Sequence, residues 1–375
     1  MEVHLGALPF DLDFHPSASL VSVGLITGHL HLHSFCDGEG DGDGDGATQQ
    51  QQQHKQLWSV RPHKESCRAV RFAEAGRYLL TGSPDCSIHA TDVETGKPVA
   101  RLSNAHASPI NRIINATETT VASGDDEGVI KIWDTRQNTC CGSFNVHEDY
   151  ISDMEYVPDG MQLLGVSGDG TLSLCNLRSN RVQARSEFSE DELLSVIRVK
   201  NGQKVVCGSQ EGVVLLYSWG QFEDCSDRFL GHPHSVEALL KVDEDTILTG
   251  SSDGIIRVVS ILPNKMIGLI GEHSEFPVER LAFSHDRAIL GSVSHDNSLK
   301  LWDVRYLIDD AEPETGENSS TAKVEAASED KSNTVEVCML EADPEEEEIQ
   351  KNRRKRKGKG IASSGNSSSD FFADL

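Results

Sequence analysis

The chain has 375 residues, with 60 acidic and 34 basic side chains and a formal net charge of -26. Of these, 17 acids and 9 bases fall in residues 307–375, which leaves 43 acids and 25 bases, a net of -18, for residues 1–306. That length suffices for a large core in one or two domains, and a body this acidic argues against direct nucleic-acid binding.

The start, "MEVHLGALPFDLDFHP", has no basic region leading into an apolar stretch, so no secretory leader is expected. No run of about 18 apolar residues follows anywhere, so no membrane span is expected either. The strand-like run "GHLHLHS" ends at Ser34. After it comes "DGEGDGDGDGATQQQQQH" (37–54), a low-complexity insertion.

From there the chain repeats. Strand-like runs close at Asp92, Asp134, Asn176, Ser218, Ser260 and Asp303, with spacings of 42, 42, 42, 42 and 43. The step from Ser34 to Asp92 is 58, and the insertion accounts for the excess. A second column precedes the first by seven residues: Thr27, Asp85, Glu127, Asp169, Glu211, Asp253 and Asp296. Gly follows five of these, and acid-Gly pairs between alternating apolar runs read as tight hairpin turns. A third column is histidine: His63, His106, His147, His232 and His273, with one period vacant near Ser189.

A period of about 40–45 residues with four short strands each is the mark of a β-propeller. A lone blade leaves both sheet faces in water, whereas stacking blades in a ring covers them. The expected fold is therefore all-β: a seven-bladed propeller over residues 1–306, followed by a disordered acidic and basic tail over 307–375. The last blade needs an outermost strand. "MEVHL" is the preferred source, and "TVEVCML" (334–340) the other.

"IKIWD" and "LKLWD" carry the signature of the WD-repeat β-propeller family, which the whole body resembles. The resemblance implies a buried polar group in each blade: a His before the blade, a Ser or Thr in its second strand, an Asp in the hairpin turn, and the Trp. The matching positions are His106, Ser123, Glu127 and Trp133 in the third blade, and His273, Ser292, Asp296 and Trp302 in the seventh. The second blade has Thr91, and the sixth Val259, in place of Trp. The fifth lacks the His and has Cys207 for Ser or Thr, so packing is expected to make up for weaker networks there.

Two motifs point elsewhere and fail on context. "GSSDG" (250–254) matches a nucleophile elbow, but a strand follows it where that motif needs a helix. "DGDGDGATQQQQ" (41–52) begins like a calcium loop but has Gln52 at its twelfth position, where a bidentate Glu belongs. The nine cysteines form no C-x-x-C pair and no zinc-ligand spacing with His, so they read as reduced thiols. No cofactor, metal or enzymatic activity is expected.

Arg136 follows the third strand of its blade, and Arg178 and Arg305 hold the matching places in the fourth and seventh. One reading is a solvated arginine paired with a local carboxylate. The other comes from the resemblance. WD-repeat proteins with W-D-x-R here include substrate receptors of cullin-four ubiquitin ligases, which dock on the ligase's damaged-DNA-binding adaptor. Residues 121–136 and 290–305 fit that sixteen-residue box. The resemblance thus implies adaptor contacts from Trp133, Asp134, Arg136, Trp302, Asp303 and Arg305, with an unknown protein substrate on the opposite face.

In the tail, "EADPEEEE" precedes "KNRRKRKGKG" (351–360), seven of whose ten residues are basic. Centred on Arg353, Arg354, Lys355, Arg356 and Lys357, this reads as a nuclear or nucleolar import signal, with a local nucleic-acid contact as the other reading. The final "DFFADL" is a docking peptide or inert. A start "LPFDLDFHP", degenerate middle blades, the run "LKLWDVRYL" and an acidic-then-basic tail together resemble a nuclear and nucleolar branch of the family. That branch is linked to ribosomal RNA production, which implies pre-ribosomal proteins as further partners.

Overall fold

The computed structural model describes residues 1–35, 54–137 and 139–309. They form seven antiparallel sheets of four strands. In chain order the blades span 9–60, 69–102, 110–145, 151–185, 193–229 and 236–272, with the seventh built from 278–303 plus Glu2–His4. Each is a meander whose first strand lies innermost and whose fourth lies outermost.

The alternating pattern places apolar side chains on both faces of each sheet, and seven apolar clusters fill the seven joints between blades. Leu30 and Leu32 of blade one pack with Val70, Phe72 and Leu79 of blade two. Leu12 and Val21 of blade one pack with Ile289 and Leu301 of blade seven. Burial of this kind stabilises by about 25 cal/mol per Å² of apolar surface, so each blade depends on its neighbours.

The hairpin glycines are required by space as well as conformation. Gly128 has φ +74°, and a Cβ there would lie 2.5 Å from the carbonyl oxygen of His147. Any larger residue would push apart the turn and the loop leading into the next blade.

The N-terminal segment closes the ring. Glu2, Val3 and His4 pair antiparallel with Lys300, Leu299 and Ser298. The Met1 amino group donates to the Leu301 carbonyl at 2.7 Å, and Val3 and Leu5 are buried in the joint between blades seven and one. "TVEVCML" lies outside the described residues, as do the basic cluster and "DFFADL". The insertion falls between the third and outermost strands of blade one, and His54 already belongs to the outermost strand. It therefore ends at residue 53, one residue earlier than the composition suggests.

Candidate protein-docking site

The polar groups inside the blades must be assigned before any residue can be called available to a partner. In blade three, Trp133 Nε1–H donates to Ser123 Oγ at 2.8 Å. Ser123 Oγ lies 2.6 Å from His106 Nε2, and His106 Nδ1 lies 2.8 Å from Asp125 Oδ2. These distances assign a directed chain: Ser123 accepts from Trp133 and donates to His106, whose Nδ1–H then donates to the carboxylate. Blade seven repeats it with Trp302, Ser292, His273 and Asp296 at 2.8, 2.7 and 2.9 Å.

One expected member is wrong. The carboxylate facing His106 belongs to Asp125, not Glu127. Asp125 ends the second strand, where Ser83, Ser167 and Ser294 stand in other blades. Its Oδ1 also accepts the hairpin N–H groups of Glu127 at 3.1 Å and Val129 at 2.8 Å. One short carboxylate thus serves both the turn and the histidine, and leaves Glu127 with no part in the group.

Other blades are rewired. In blade four, Gly165 holds the Ser/Thr position, and His147 turns to Ser173 at 2.8 Å and Thr171 at 2.9 Å. In blade five, Cys207, Leu215, Tyr217 and Phe222 share an apolar cluster where the histidine network is missing, as expected. In blade six, His232 keeps Thr249 at 2.8 Å, but Asp253 grips the buried Arg257 through two bonds of 3.0 and 2.5 Å. His232 Nδ1 is left without a partner, and burial, with Arg257 nearby, lowers its pKa to about 4.

Against this interior, the ends of the third strands are open. The Arg136 side chain is 65 % exposed, and its guanidinium lies 3.3 Å from Asp134. Asp134 Oδ1 also accepts the backbone N–H groups of Arg136 and Gln137, and the Arg136 hydrogen bond holds the Asp134 carboxyl below the usual range. The turn therefore presents Arg136 outward from a fixed base. Trp133 is buried in its own network, so the surface here belongs to Asp134 and Arg136. The Arg305 side chain is 45 % exposed, 3.8 Å from Asp303. Blades one and two lie between these arginines on the shorter arc, so they share a face without forming one patch. Arg178, on the blade next to Arg136, is exposed.

Sequence reasoning missed the axis of the ring. Asp11, Ala69, Arg112, Asp153, Ser195, Ala238 and Arg280 occupy one level of the seven inner strands, fixed by equivalent pairing to the second strands. Asp11 accepts from the Val70 N–H at 2.8 Å and from Arg71 at 2.6 Å in the next blade. Asp13 accepts the Phe72 N–H at 2.7 Å, and Asp153 the Val196 N–H at 3.3 Å. Arg112 donates to the Ser152 carbonyl at 2.5 Å. Arg280 of blade seven reaches Asp153 of blade four at 3.1 Å. Burial raises Asp13 to about 6 and Glu155 to about 8, and lowers Arg112 to about 10. The available signal was carboxylates two residues apart in otherwise apolar strands: Asp11 with Asp13, and Asp153 with Glu155.

Among the described residues, no group of three or more His, Cys, Asp and Glu is arranged to hold a metal, and no helix is long and apolar enough to cross a membrane. The seven described cysteines are all free thiols.

Comparison with known proteins gives a consistent result. A family model described as WDR55 matches residues 1–307. WD repeat-containing protein 55 of Arabidopsis thaliana is 54 % identical over 324 residues, covering 86 % of this chain and 88 % of that protein. Its human counterpart is 40 % identical over 306 residues, covering 82 % and 77 %. WD repeat-containing protein JIP5 of Coprinopsis cinerea is 38 % identical over 317 residues, covering 81 % and 74 %.

Proposed function

Because the chain belongs to the WDR55 family of WD-repeat propellers, we propose that it is a non-enzymatic interaction scaffold: a substrate receptor that docks on the damaged-DNA-binding adaptor of a cullin-four ubiquitin ligase. The observation that carries this reading is Arg136, whose side chain stands out from the end of its strand on a turn organised by Asp134. A guanidinium has five donors in a rigid fork, which suits carboxylates and carbonyls on a partner. Arg305 offers a second contact on the same face. The opposite face, where the hairpin turns and the histidine-bearing loops meet, is left for the substrate.

Capture of the adaptor by the full chain is the test. Arg136→Ala is expected to reduce capture about tenfold, the scale of losing one strong interface contact. Arg136→Ala with Arg305→Ala is expected to abolish it. Undiminished capture by a folded double variant overturns the proposal.

A second reading rests on the basic run 351–360, which supports a nuclear, chiefly nucleolar, address and a scaffold role in ribosomal RNA production with pre-ribosomal proteins. Deleting 351–360 is expected to move the protein out of the nucleolus while the propeller stays folded. Unchanged location counts against that address.

A further inference from the structure

We propose that blade one carries a binding site for a divalent transition-metal ion, held by the imidazoles of His31, His33 and His54. The first observation is placement. The third strand of the blade, Leu30–Phe35, reads "LHLHSF". Residues two apart on a strand share a face, so Leu30 and Leu32 lie on one side and His31, His33 and Phe35 on the other. The packing agrees: Leu30 and Leu32 meet blade two, whereas Phe35 meets blade seven. On the outermost strand, Gln56 pairs with His33 and His54 with Phe35, which puts His54 on the histidine side. The ring centres of His31 and His33 are 5.8 Å apart, and those of His33 and His54 are 6.4 Å apart.

The second observation is polar atoms without partners. His33 is only 3 % exposed, and neither of its ring nitrogens makes a hydrogen bond. His31 Nδ1 is buried and unpaired as well. Buried polar atoms are normally paired, and His106 and His273 each use both of their nitrogens. Burial, with His31 and His54 nearby, lowers the His33 pKa to about 4, so its ring is neutral at pH 7, the form that ligates a metal. Two histidines on one strand and a third on its neighbour offer three nitrogens and leave a fourth, tetrahedral position for water. Imidazole suits zinc, copper and nickel. With metal–nitrogen bonds of about 2.0–2.1 Å, ring centres around one ion stand roughly 5 Å apart. The three rings are wider than this, so they form no finished ligand set. Side-chain rotation closes the difference, and His54, exposed at the start of its strand, has the room to swing in. The proposal goes beyond docking of the adaptor and uses none of the residues of that reading, so the two can fail separately.

Titration of the full chain with cobalt(II) tests it, because a tetrahedral imidazole site gives that ion strong visible absorption bands. The bands are expected to saturate at one ion per chain and to vanish when zinc displaces the cobalt. His33→Leu replaces a buried, unpaired imidazole by an apolar side chain. It is expected to abolish the bands and, with a chelator present, to keep or raise the melting temperature. His54→Ala, on the surface, keeps the fold and is expected to weaken cobalt binding by more than about tenfold, since the outer partners of a metal site alone are worth that much. Zinc is expected to raise the melting temperature of the wild type but not of His33→Leu, because an ion that binds the folded chain stabilises it. Absence of the bands in the wild type, equal bands in His33→Leu, or equal affinity in His54→Ala overturns the proposal. So does weak, octahedral cobalt absorption shared by all three chains, which means an adventitious ion only.

Discussion

Blades three and six solve one structural problem with different residues. In blade three, His106 faces Asp125, and Ser123 joins it to Trp133 in a chain with every polar atom paired. In blade six, the equivalent histidine has one partner, and its would-be carboxylate turns to Arg257. The four-stranded sheet, its pairing and its packed joints are the same in both. Apolar packing therefore builds the blade, and the polar network adds stability where its members are complete. What cannot be omitted is a partner for any charge that does get buried.

Substitutions can break that comparison. The largest effect is expected from Asp253→Ala, which leaves the Arg257 guanidinium buried without its carboxylate. The cost is about 3–5 kcal/mol, measured by denaturant unfolding. Next comes a contrast between histidines. His106→Ala removes the acceptor of the Ser123 hydroxyl and the donor to Asp125 Oδ2 and is expected to cost about 2–3 kcal/mol, against about 1 kcal/mol for His232→Ala, which loses a single hydrogen bond. Equal costs would mean that the network contributes nothing beyond packing.

Acid sharpens the contrast. The folded value of about 4 for His232 lies below the usual imidazole range near 6.5, so the unfolded chain binds more protons between these values. Its contribution is full above about pH 6.5 and is lost as pH falls towards 4. His232→Gln is expected to reduce the acid-induced loss of stability over that window by about 1–2 kcal/mol. Asp296 titrates at the other end. Burial opposes its ionisation, but hydrogen bonds from Ser298 and His273 win and hold it below the ordinary carboxylate value, so its stabilisation fades only in stronger acid. The smallest effect separates two neighbours in sequence: Glu127→Ala is expected within about 0.5 kcal/mol of the parent, while Asp125→Ala loses about 2–3 kcal/mol.

Much of this was legible in the residue order. The spacing of Asp92, Asp134, Asn176, Ser218, Ser260 and Asp303 counts the blades, because each strand end recurs at one pitch. "MEVHL" alternates apolar and polar residues as a closing strand does, and Val3 and Leu5 are buried while Glu2 and His4 are exposed. The misassigned acid arose because "GDDEG" offers three carboxylates within one turn. Column alignment selects Glu127, but reach and hairpin geometry select Asp125. The axial bonds were hidden for another reason. Their level holds Asp, Ala, Arg, Asp, Ser, Ala and Arg in turn, so no single residue type repeats.

The chain order alone determined the periodic quantities: how many sheets, which side chains turn inward, and which strand ends carry an arginine. These follow from local sterics and from apolar spacing, which act within one blade or between neighbours. Only the closed ring decided that Arg280 would meet Asp153 from a blade three places away, and that Asp11 would lie near Arg280 across the joint of the last blade with the first. Such pairings depend on the curvature of the whole circle. A linear pattern does not encode curvature until all seven sheets have met.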